Sequence, residues 1–146
     1  MDSKITVKIA TPVDQPSVLK LVAANALKLG QSAEKFEFAA NYILKDINYG
    51  FFVLAESEGE PAGFMLFTYE WSDWRNGLFF WLQSVHYTET AVFTHMHRFL
   101  EGYMKERGSC GVRVYYPKEE KAQWGTVVGE LGLKESHYYI FHVGKE

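Results

Sequence analysis

The chain has 146 residues, 47% of them hydrophobic, 16% aromatic and 23% charged, with a formal net charge of −3. That length suffices for one domain with a buried core, and the acidic balance without a basic run argues against nucleic acid or an anionic membrane surface as partner. Cys110 is the single cysteine, which excludes an internal disulfide, and no apolar run approaches the roughly 20 residues that span a bilayer.

Taken in chain order, Ile5, Val7 and Ile9 alternate with Thr6, Lys8 and Ala10 and predict a half-buried strand, ended by Thr11-Pro12. Asp14 suits a helix N-cap, Pro16 is tolerated in the first turn, and Gly30 is the stop. Between them Val18, Leu21, Val22, Asn25 and Leu29 mark one face. Ser32 caps a second helix with Phe36, Ala40, Ile43, Leu44 and Ile47 at helical spacing. Phe51 to Ala55 reads as a strand, and Ser57-Glu58-Gly59-Glu60 as a hairpin turn in which Gly59 supplies positive φ. Ala62 to Glu70 and Leu78 to Val85 complete an antiparallel meander. Phe93, Met96, Phe99, Leu100, Tyr103 and Met104 form the strongest helical pattern, closed by Lys105, Arg107 and Gly108. Val112 to Tyr116 is expected as a strand, Ala122 to Leu131 as a helix, and His137 to Val143 as a last strand. Helices between separated strands imply a mixed sheet covered on both faces, in an α/β or α+β domain over residues 1–146.

Three strings then stand out: KIATPVDQPSVLKLV near the start, FTYEWSDWRNGLFFWL in the middle, and GELGL at Gly129 to Leu133. With the element order they resemble the GNAT superfamily of acyl-CoA N-acyltransferases, and the middle string is similar to its diamine and polyamine acetyltransferase branch. The resemblance implies a GNAT-like mixed, mostly antiparallel sheet of six to seven strands flanked by about four helices. It implies acetyl-CoA as cosubstrate and a small-molecule amine as acceptor. It also implies that acetyl-CoA lies on the strand backbone of Gln83, Ser84 and Val85 and on amides from Thr88, Glu89, Thr90, Ala91 and Val92. The chain departs from the family pattern at four places. Its loop after the strand, His86 to Val92, has neither glycine nor Arg. The family's Glu position falls on Trp81, or on Gln83 in another register, its Asn on Lys121 and its Tyr on Val128.

Acetyl transfer needs a group that takes a proton from the amine, donors for the thioester oxyanion, and a proton for the leaving thiolate. Glu70 and Asp73 are the candidate carboxylates, and His86 is a third candidate base beside the expected thioester. Tyr116 ranks first among the proton donors Tyr115, Tyr116, Tyr138 and Tyr139. Tyr69, Trp71 and Trp74 offer aromatic faces to an ammonium group. Against these stand ordinary roles: aromatics packed in a hairpin or a dimer interface, a structural His, and Tyr pairs that fill strand faces. His95 and His97 point in different directions on their helix, so no metal is expected. Cys110 has no neighbouring His to activate it. His137 to Val143 would be a plausible edge for a homodimer. The absence of an apolar signal core, with one cysteine, leads to the expectation of a cytoplasmic, bacterial protein. Three functions stay open: an N-acetyltransferase, a protein of the same fold that binds acyl-CoA without turnover, and an interaction module.

Overall fold

A computed structural model describes residues 4–136 and 141–144. Antiparallel pairing of neighbouring segments organises it. Strand β1 (Ile5–Ile9) pairs with β2 (Gly50–Ser57), β2 with β3 (Glu60–Ser72), and β3 with β4 (Gly77–Tyr87), all antiparallel. A short β5 (Gly111–Arg113) joins β4 in parallel, giving a mixed sheet of order β1-β2-β3-β4-β5. Helices α1 (Gln15–Lys28) and α2 (Ala33–Lys45) follow β1, and α3 (Thr90–Arg107) links β4 to β5. The chain divides into two compact units, Met1–Val114 and Tyr115–Glu146. The second carries α4 (Lys121–Glu130), with Tyr116 stacked on Trp124 at 5.8 Å between ring centroids.

Local chemistry explains the boundaries. Asp14 does not cap α1 through its side chain, as its place in the sequence suggests. It closes a capping box one turn earlier, where its Oδ2 accepts the Thr11 N–H at 2.9 Å. Its Oδ1 pairs with Lys8 Nζ at 2.6 Å and so ties β1 to the helix start. Gly30, at φ +69°, ends α1, and Gln31 N–H reaches back to Ala26 O at 2.8 Å. The β2–β3 turn uses positive φ at both Glu58 and Gly59, the two-residue geometry that matches the twist of paired strands.

Alternation along the strands sorts the core into two layers. Phe52, Leu54 and Phe64 pack with Val18, Leu21 and Val22 of α1 and Ala40 and Leu44 of α2. Phe51, Phe67 and Phe80 lie on the other face, where Phe51 meets Tyr103 of α3 at 5.0 Å. The described residues form five strands, so the sheet is smaller than the six to seven strands expected. The expected strand at Val112 to Tyr116 stops pairing at Arg113. Of the expected last strand, His137 to Ile140 lie outside the described residues and Phe141 to Val143 carry no strand. The β3–β4 hairpin is longer than its hydrophobic pattern indicates, because polar Ser72 and Gly77 still pair. Among the described residues no helix is long and apolar enough to cross a membrane.

Gly63 lets α3 approach the sheet. A Cβ there would meet Val92 Cγ1 at 2.8 Å, His86 O at 2.9 Å and Met96 Cε at 3.1 Å. Gly102, in the middle of α3, has open space around it. Gly63→Ala is therefore expected to lower stability by about 1–3 kcal/mol through overpacking. Gly102→Ala should raise it by about 0.5–1 kcal/mol through helix propensity. Urea unfolding of the two variants checks both signs.

Candidate active site

The site is built on the β3–β4 ladder. Leu66 faces Ser84 and Phe67 faces Leu82, so Gln83 is an extra residue with no partner across the ladder. This β-bulge reverses the face of everything beyond it. Phe80 and Leu82 turn toward α3, and after the bulge Val85 and Tyr87 do so as well. Bulges re-aim side chains in this way and are common beside active sites.

On the α1–α2 side of the sheet, next to the bulge, runs a row of polar and aromatic side chains. Gln83 Nε2 donates to Thr68 Oγ1 at 2.8 Å. Two residues on, Glu70 lies on the same face as Thr68. Its Oε1 accepts both Trp81 Nε1–H at 2.7 Å and Arg113 Nη1–H at 2.8 Å. The Arg113 guanidinium lies 3.8 Å from the Phe79 ring centroid, and Arg75 stands 5.5 Å from the same ring. Glu70 Oε2 has no partner among the described residues, and the Glu70 side chain is 42% exposed.

The outer edge of β4 gives the second half of the site. Thr88 N–H donates to Ala62 O at 2.9 Å, which makes Ala62–Thr88 a hydrogen-bonded pair. By antiparallel alternation Phe64–His86 and Leu66–Ser84 are hydrogen-bonded pairs too, while Val85 and Tyr87 turn their N–H and C=O away from β3. β5 pairs only with Phe79–Trp81, so no strand meets Val85 and Tyr87 among the described residues. The edge leads to the first turn of α3. There Val92 N–H is bonded to Glu89 O at 3.0 Å, whereas the amides of Glu89, Thr90 and Ala91 have no partner among the described residues. Helix starts of this kind suit anions through free N–H groups and the helix dipole.

The sequence candidates thus separate. Glu70 joins the row, and Gln83, Ser84 and Val85 occupy the bulge and edge. Thr88 and Val92 spend their amides inside the fold, which narrows the expected phosphate contact to Glu89, Thr90 and Ala91. Asp73 is exposed, and its Oδ1 accepts the Trp74 N–H at 2.9 Å within the hairpin turn. Tyr69 points to the face opposite Glu70. It packs on Phe51 and Phe80, and its hydroxyl donates to Ile47 O at 2.8 Å. Burial raises its pKa, with Arg107 opposing. Trp71 and Trp74 stand open at the hairpin end, 60% and 93% exposed, and do not converge with Tyr69 on Glu70. Tyr116 is half-buried in the second unit, and Tyr138 and Tyr139 lie outside the described residues.

His86 faces α1 beside Phe64, with ring centroids 6.3 Å apart. Phe64 and Glu70 stand six positions apart on β3, roughly 20 Å at strand rise, so His86 and Glu70 do not serve one reacting centre. His86 Nδ1 is buried and has no hydrogen-bond partner among the described residues. Burial lowers the pKa of the ring, and the Lys28 charge lowers it further. Thr68, Phe79 and Arg113 were not among the sequence candidates. Thr68 and Glu70 share a face by period-two spacing, but the arrival of Arg113 from β5 has no local signal.

No protein-family model and no curated protein matches the chain. Solved structures do. The chain is similar to a possible acetyltransferase from Clostridium difficile 630, with 23% identity, a TM-score of 0.83, and coverage of 97% of this chain and 98% of that one. It is similar to the ribosomal-protein-alanine N-acetyltransferase from Brucella melitensis biovar Abortus 2308, with 14% identity, a TM-score of 0.76, and coverage of 98% and 100%. A third is the aminoglycoside N-acetyltransferase AAC(6')-Iy in complex with CoA, with 14% identity, a TM-score of 0.73, and coverage of 99% and 97%. The chain has the fold of these acetyltransferases, which is the GNAT fold its sequence resembles.

The lowered pKa of His86 carries a sign. The folded state favours the neutral ring, so the contribution is fully present above the ordinary value of 6.5 and is lost as pH falls from there toward the lower folded value. His86→Phe, which keeps an aromatic ring beside Phe64, should flatten the loss of stability between about pH 7 and pH 5. Denaturant midpoints of parent and variant across that range check it.

Proposed function

We propose that this protein is an N-acetyltransferase that moves an acetyl group from acetyl-CoA to a small amine. The observation that carries this is the junction of three features: the β4 edge at Val85 and Tyr87 and the amides at the start of α3, both unpaired among the described residues, and the Glu70 row beside the Gln83 bulge. The pantetheine arm of CoA contains amide groups, which add to an open strand edge much as a further strand would. In this arrangement the pyrophosphate meets the amides of Glu89, Thr90 and Ala91, and the thioester reaches the bulge. Outward N–H groups there, Val85 first, polarise the thioester carbonyl and stabilise its oxyanion.

Glu70 is the carboxylate on the acceptor side. Its Oε1 is held by Trp81 and Arg113, while Oε2, without a partner among the described residues, would accept from an amine or from a water between them. The neutral amine attacks the thioester carbon, the C–N bond forms and the C–S bond breaks. The proton taken from the amine by Glu70, directly or through water, balances the one gained by the thiolate. Trp81, where the family carries its Glu, serves here to fix Glu70 from the neighbouring strand.

Release of free CoA thiol on mixing acetyl-CoA with small amines tests the proposal. Glu70→Gln is expected to lower kcat by about 10²–10⁴, the usual range for a general base, with little change in KM for acetyl-CoA. CoA-dependent stabilisation with no turnover of any amine would reduce the function to binding. Glu89, at the N-cap of α3, puts a negative charge beside the expected pyrophosphate. Glu89→Gln should strengthen CoA binding about 2- to 5-fold, the scale of one exposed charge contact, as read by titration calorimetry. Unchanged or weaker binding would place the phosphates elsewhere.

A further inference from the structure

The composition of the Glu70 row narrows the acceptor, an inference that rests on the acetyl-transfer reading above. One carboxylate, Glu70, stands among two guanidiniums, Arg113 and Arg75, both directed at the Phe79 ring. Asp73, the other nearby acid, turns its Oδ1 into its own hairpin. Two carboxylates against two guanidiniums leave the cluster with no net negative charge. A polycation would meet a carboxylate already neutralised by Arg113 and would also approach a second guanidinium. Such a site disfavours a polyamine.

Arg113 has capacity to spare. Among the described residues only its Nη1 is engaged, with Glu70, while a guanidinium carries five donors in a planar fork. Its plane is fixed by the Phe79 contact at 3.8 Å and its side chain is 32% exposed, so the remaining edge is pre-organised and open to solvent. Glu70 offers Oε2 beside it. The pair thus presents a free acceptor for an ammonium group and free donors for a carboxylate, one next to the other. Along the ladder Glu70 stands directly across from Phe79, with Thr68 and Gln83 toward the bulge and Arg75 toward the hairpin end. An acceptor with its amine at Glu70 keeps its carboxylate beside the Phe79 ring, at which both guanidiniums are directed.

We infer that the acceptor is an amino carboxylate, a free amino acid whose amine is held by Glu70 and whose carboxylate is held by Arg113 with Arg75. The full chain is assayed for thiol release from acetyl-CoA with free amino acids, the same amino acids as their carboxamides, and spermidine. The expected result is a kcat/KM at least about 10-fold higher for an acid than for its amide, the low end for hydrogen bonds to a charged group. Spermidine should be poorer still. In Arg113→Gln and in Arg75→Gln the acid-to-amide ratio should fall toward one. Arg75 is exposed at the hairpin, so its variant keeps the test open if loss of Arg113 disturbs folding, and a thermal melt of each variant reads that directly. Equal or better use of amides or spermidine overturns the amino-carboxylate inference and leaves acetyl transfer standing. Thiol release with none of the acceptors overturns both.

Discussion

The β3–β4 ladder holds most of the candidate site, and Gln83 interrupts it once. Side chains along a strand alternate, so a regular strand cannot bury residues separated by an odd number on one face. Here Phe80 and Leu82 turn toward α3, and so do Val85 and Tyr87. The extra residue reconciles the two parities. It lets Phe80, Leu82, Val85 and Tyr87 all turn toward α3 while the opposite face carries Thr68, Glu70 and Trp81 on one side of the bulge and Ser84 and His86 on the other. Removing the bulge would exchange one of these sets with the core.

Helix α3 depends on the same ladder at both ends. Near its start, Gly63 gives Val92 and Met96 room to sit close to the strands. Near its end, Tyr103 packs on Phe51 and Phe80, and Arg107 bonds the Tyr103 hydroxyl at 2.7 Å while lying over the Tyr69 ring. Anchoring both ends fixes where the first-turn amides point relative to the open edge of β4. The aromatic layer between them is thus part of the candidate site's construction although it lies on the face opposite Glu70. Tyr69 belongs to this layer, and its neighbour Glu70, one residue along, belongs to the candidate site on the opposite face.

Under the proposed function Glu70 would supply from β3 the carboxylate that the family carries on β4. A carboxylate on β3 reaches the same surface as a residue on β4, because cross-strand neighbours on one face lie only about 5 Å apart. Trp81 and Arg113 hold it there by hydrogen bonds to one oxygen. Pairing with Arg113 changes what that surface attracts, since a lone carboxylate invites a cation and an ion pair invites a zwitterion.

The sequence by itself determined the elements whose signals are local. Hydrophobic period placed β1 to β4 and α1 to α3, Gly30, Gly59 and Gly108 marked turns and helix ends, and the order of elements with its strings pointed to the GNAT fold. It also offered Glu70, together with Asp73 and His86, as a candidate base, because carboxylates among aromatics are visible in any linear reading. The tertiary structure alone decided which neighbours Glu70 keeps. Adjacent residues such as Tyr69 and Glu70 look like one cluster in the chain but lie on opposite faces, since the strand turns each side chain away from the last. Arg113, 43 positions from Glu70, reaches it only because β5 returns in parallel beside β4. Among the described residues the edge at Val85 and Tyr87 stays open because β5 pairs with β4 at Phe79–Trp81 alone. Such long-range pairings follow from the register of whole strands packed on their helices, and no local pattern of residues encodes them.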